Sequence, residues 1–167
     1  MKRMLAVLAA LATIGLAEDV YEIRELYNSV IESIGNSELY ITELTINSEG
    51  MMYPALGTYE RSFKFYWGLN EENYPESQLL FITANSQYAA VPEYEEYLFN
   101  RIGELAFHFR QGGYEQNEER FYFLGDSLIR YILDEESTDR PESEACDVGQ
   151  LVRLESAKLF DSFMLIH

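Results

Sequence analysis

A chain of 167 residues carrying 29 acidic and 12 basic side chains, formal net charge −17, is long enough to bury one proper apolar core. That excess of negative charge repels phosphate backbones and anionic bilayer surfaces, so nucleic acid is set aside as a partner. Cys146 is the single cysteine, which excludes a disulfide framework within the chain; pairing between chains or a reactive thiol are the alternatives to a merely tolerated cysteine, which is the expectation.

Lys2 and Arg3 precede an uncharged, mostly apolar run over 4–16, and Gly15 and Ala17 occupy the −3 and −1 positions before Glu18. This is the pattern of a cleaved signal peptide, residues 1–17. The run is shorter than the ~20 residues a bilayer-spanning helix needs, so no stable membrane insertion is expected after cleavage. The expectation is a bacterial protein exported to the periplasm or secreted, whose mature part, 18–167, is a single α+β domain. Cleavage removes two bases and no acid, leaving 150 residues with a net charge of −19.

Asp19 and Glu22 have the spacing of a capping box, and Val20, Ile23, Leu26, Tyr27, Val30, Ile31 and Ile34 recur as one helical stripe. Gly35 and Asn36 offer the stop. Strands follow at about 38–47, 59–69 and 79–88, rich in β-branched and aromatic residues, with Phe63, Phe65 and Trp67 on one face against Lys64 and Tyr66 on the other. A polar turn containing Pro75 spans 70–77.

Residues 93–133 read as two β-hairpins on one template. Tyr97-Leu98-Phe99 matches Phe121-Tyr122-Phe123, and the returning strands open on Leu105-Ala106 and Leu128-Ile129 after glycine turns at Gly103 and Gly125. Residues 134–147 hold seven acids against Arg140 alone, which predicts a solvated loop. Asp147, with Gln150 three residues on, resembles a second helix cap, and Val148, Leu151, Val152, Leu159, Phe160 and Phe163 supply the stripe of a C-terminal helix. The fold class is therefore α+β: an N-terminal helix, an antiparallel meander of about seven strands and a C-terminal helix, with the helices on one face of the sheet.

The 93–133 stretch, and within it the run from Glu119 to Ile132, resembles aromatic, glycine-turned hairpins of short exported bacterial proteins without assigned function, and more distantly MORN-like repeats. The resemblance implies a meander and an exported context, and brings no catalytic residues.

Catalytic patterns are sparse. The histidines are His108 and His167, no Gly-x-Ser-x-Gly elbow exists, and the neighbours of Cys146 are acids, which raise a thiol pKa. Zinc spacings are absent, and neither Asn70–Asn73 nor the 134–147 segment fits a calcium loop, so no metal or cofactor is expected. Thirteen tyrosines and Trp67 could line a groove, though alternating strand aromatics are mainly cross-strand packing. Tyr66, His108 and Tyr131 are the candidate ligand-binding residues, placed on a sheet face left open. The expected function is a non-catalytic binding module for a protein, peptide or glycan. The alternative is a small carboxylate-using hydrolase with His108 in a concave sheet site.

Overall fold

The computed structural model describes residues 2–54, 57–70, 76–89, 91–139 and 143–167, leaving aside the side chains of 2–16 and Tyr53. The order is α1 (Lys2–Gly35), β1 (Tyr40–Ile46), β2 (Met52–Tyr53), β3 (Gly57–Leu69), β4 (Ser77–Tyr88), β5 (Val91–Phe99), β6 (Leu105–Gly112), β7 (Asn117–Leu124), β8 (Ser127–Leu133), β9 (Glu136–Asp139) and α2 (Ser143–Ile166). The sheet runs β1-β3-β4-β5-β6-β7-β8-β9, and β2 pairs beside it on β3. Helix, antiparallel meander, helix is the α+β architecture the sequence pattern predicts. The polar turn placed at 70–77 falls largely on 71–75, outside the described residues.

β2 and β9 are strands beyond the seven expected, and β9 arises inside the acidic segment. β9 pairs antiparallel with β8, and the register sets Asp139 opposite Arg130, whose Nε and Nη2 donate to its carboxylate at 2.5 and 3.0 Å. An opposite-charge cross-strand pair stabilises the edge that self-repulsion was expected to melt. α2 likewise starts at Ser143, so Asp147 sits a turn inside the helix and is not its cap.

The hairpin template occurs three times, not twice. In β3–β4, β5–β6 and β7–β8 the register slips at Tyr66/Trp67, Leu98/Phe99 and Tyr122/Phe123. Each slip leaves one extra residue on the returning strand: Leu80, Ala106 and Ile129. The preceding Leu79, Leu105 and Leu128 pack toward α2, while Leu80, Ala106 and Ile129 pack toward α1. A bulge at the same level in each hairpin bends the sheet the same way three times over.

The helices do not share a face. α1 covers Phe81, Leu98, Phe107 and Tyr122 with Val20, Ile23 and Val30. α2 covers the opposite side, packing Val152, Leu159 and Phe163 on Phe63, Phe65, Tyr97, Phe99 and Phe121. Strands that alternate apolar residues on both faces need both covered, which corrects the one-sided arrangement. Ile31 and Leu151, placed in the two stripes, are exposed instead.

Two details of α1 also differ from expectation. Its helix runs unbroken through Asp19, which therefore is no cap in the full chain. Its left-handed stop is Ser37 (φ 59°), where Ser37 N–H donates to the Ile34 carbonyl at 3.1 Å and Glu38 N–H to Ser33 at 3.0 Å. That is a Schellman ending one residue beyond Asn36.

Candidate functional site

The register separates the three candidates. Tyr66 lies on the α1 side, its ring 6.2 Å from Phe81. His108 and Tyr131 lie on the α2 side in one cross-strand row with Phe121 between them. That face is not open: His108 is 0% exposed, its ring 4.6 Å from Tyr97 and 5.6 Å from Phe121. Trp67 is likewise taken up in packing, stacked 4.6 Å from Tyr40 and donating to Thr42 Oγ1 at 3.1 Å.

Around His108 the α2 face carries a buried charged cluster. Glu95 accepts from Arg61 Nη2 at 2.5 Å, from Tyr97 Oη at 2.9 Å and from His108 Nε2 at 3.3 Å. Arg61 Nη1 reaches on to Glu155 of α2. Burial opposes ionisation of Glu95, but donation from His108 and the Arg61 charge outweigh it, and the carboxyl pKa falls to about 2. An ionised Glu95 only accepts, so His108 Nε2 holds the proton, and Nδ1 has no partner among the described residues. One row away, Arg110 Nε and Tyr131 Oη both donate to Glu119 at 2.7 Å. Tyr131 also lines a cavity of ≈ 500 Å³ with Arg110, Glu119, Glu115 and Glu144. Glu95 is held charged by fixed donors, which suits tying α2 to the sheet better than proton transfer.

The α1 side carries a different arrangement. The register aligns Glu96, Phe109 and Arg120 in one cross-strand row and Leu98, Phe107 and Tyr122 in the next. Together with Ile23, Arg24, Tyr27 and Asn28 of α1, residues from these rows enclose a groove of ≈ 310 Å³. Its walls are aromatic: Tyr27 meets Phe107 edge-on at 5.4 Å, and Phe107 lies 5.0 Å from Tyr122. Its polar groups are fixed. Tyr27 Oη and Tyr94 Oη each donate to one oxygen of Glu96 at 2.8 Å. Burial, then the bond to Glu96, pushes both phenols above the ordinary tyrosine pKa. A larger concavity of ≈ 620 Å³ lies among Ser62, Asn85, Gln87, Tyr94 and Gln111, where the sheet turns polar. An apolar, aromatic-walled pocket with a few oriented polar groups is the usual form of a small-ligand site, so the groove beside α1 is the better candidate.

Among the described residues no group of three His, Cys, Asp or Glu side chains could hold a metal ion. The Asn70–Asn73 segment lies mostly outside them. Among the same residues no helix is long and apolar enough to cross a membrane. The chain matches no known family, no curated protein and no solved structure.

Sequence reasoning missed the groove because its walls come from α1, β5, β6 and β7 in a register that alternation alone does not fix. A signal was present. Glu96 falls between Tyr94 and Leu98 on one strand face, and Arg120 is two residues before Tyr122 on another; such charges on a covered face ask for a reason.

Proposed function

We propose that the mature chain is an exported, non-catalytic binding module that takes a small apolar ligand, or an apolar side chain of a peptide or protein partner, into the groove between α1 and the sheet. The observation that carries this reading is the aromatic-walled groove of ≈ 310 Å³ whose polar groups, Glu96 above all, are held in place by Tyr27 and Tyr94. Pre-organised polar groups over an apolar floor bind without the entropy cost of ordering them. The hydrolase alternative gains no support: His108 is fully buried in packing, and Glu95 beside it is held ionised and cannot act as a general acid near neutral pH. Export rests on the pattern of residues 1–17, and cleavage after Ala17 leaves the core contacts of Val20, Ile23 and Val30 in place.

The test is an amide correlation spectrum of 18–167 titrated with a panel of small apolar and amphiphilic fragments. Shifts centred on 23–28, 107–109 and 120–122 support the reading. Shifts confined to the cavity around Tyr131 and Glu119, or to none of the protein, overturn it.

A further inference from the structure

We infer that the groove takes an anionic amphiphile, a small monocarboxylate, with Arg24 as the residue that anchors its acid group. This rests on the groove being the binding site. Most of the described basic side chains are paired with a carboxylate. Arg61, Lys64, Arg110, Arg120, Arg130 and Arg153 each form an ion pair. Arg24, Arg101 and Lys158 form none among the described residues, and of these Arg24 alone lines the groove, its Cζ 5.7 Å from the centre of the Tyr122 ring. Asn28, one helical turn further on and also lining the groove, brings a second donor to the same side of α1.

A cation is the poorer fit. Two of the four ring faces at the groove already carry positive charge: Arg24 over Tyr122, and Arg120 over Phe109 at 5.2 Å. The one carboxylate in the groove, Glu96, has an oxygen engaged by each of two phenols. The net negative charge of the chain acts weakly here, because distant exposed charges are screened beyond ~8 Å at physiological ionic strength. Size narrows the ligand further. At ~30 Å³ for each water-sized group, ≈ 310 Å³ holds about ten non-hydrogen atoms. Octanoate has that size and pairs an apolar body with one acid group, which identifies a free small acid and not a bilayer lipid.

Calorimetric titration of the mature protein with octanoate, octanol and octylamine tests this, alongside Arg24→Gln and Arg24→Lys. Arg24 is exposed, so neither variant threatens the fold. Octanoate is expected to bind about tenfold more tightly than octanol, the worth of one charge-assisted hydrogen bond. Arg24→Gln is expected to erase that ratio and Arg24→Lys to keep part of it. Equal binding of acid and alcohol, or tighter binding of the amine, overturns the anion assignment while leaving the groove as a site. Binding only to anionic vesicles overturns it too. If none of the three ligands binds, the groove reading itself fails.

Discussion

Arg61 and Glu95 meet at 2.5 Å on the sheet, with 12% and 7% of their side chains exposed, and the same guanidinium reaches Glu155 on α2. One side chain thus joins two sheet strands and the helix above them. Removing one partner of a buried pair leaves the other charge uncompensated, which costs about 3–5 kcal/mol. Arg61→Met is expected to lower the unfolding free energy measured by chemical denaturation by that much, whereas Glu155→Gln, at the half-exposed end, is expected to cost under about 1 kcal/mol.

Acid sensitivity follows from the same carboxylate. Glu95 has a folded pKa of about 2 against an ordinary value of 4.5. A depressed folded pKa stabilises the native state above pH 4.5, and that contribution is lost as the pH falls toward 2. The loss amounts to about 3 kcal/mol, and unfolding measured across that window is expected to show it. Glu95→Gln is expected to be less stable at neutral pH and to flatten the profile below pH 4.5.

Tyr27 couples α1 to the sheet twice over, through its hydroxyl to Glu96 and through its ring against Phe81 and Phe107. Tyr27→Phe keeps the ring and is expected to cost about 1 kcal/mol. Tyr27→Ala removes both and is expected to cost about 3–5 kcal/mol. Hydrogen exchange localises the difference: amides of 20–34 are expected to lose protection in Tyr27→Ala before those of β4 and β5.

Two glycines make a matched backbone comparison. Gly112 has φ 100°, and a Cβ there would stand 2.6 Å from the Pro92 carbonyl oxygen. Gly125 has φ 54° and open space around it. Gly125→Ala is expected to cost about 1 kcal/mol, from backbone strain alone. Gly112→Ala adds a collision with main chain that cannot move aside, and is expected to cost at least about 2 kcal/mol. Thermal melting of the two variants compares them directly.

Much of the fold was legible because local periodicity and turn chemistry agree with it. The stripe from Val20 to Ile34, the alternation of Phe63, Phe65 and Trp67, and the glycine turns at Gly103 and Gly125 each mark their element. What was not legible depends on partners distant in sequence. That Arg130 would recruit Asp139 and turn part of an acidic loop into β9 is a register fact. So is the sorting of Tyr66 to one face and His108 and Tyr131 to the other, because alternation says which residues of one strand share a face but not which faces align across strands. The groove needed both registers and α1 in place. His108 illustrates the limit best: as a lone histidine among phenylalanines it invited a functional reading, and it lies in the core bonded to Glu95.

If the groove between α1 and the sheet is where this protein binds its ligand, filling the groove must abolish binding. Asn28 is exposed at the groove, so Asn28→Trp fills the space without disturbing the packed face of α1. Calorimetric titration of this variant with octanoate, beside the unaltered protein, is the measurement. Octanoate is expected to bind the unaltered protein and to lose at least about tenfold in affinity in the variant, with the variant's melting temperature retained. Undiminished affinity in Asn28→Trp would rule the groove out as the site and place it elsewhere.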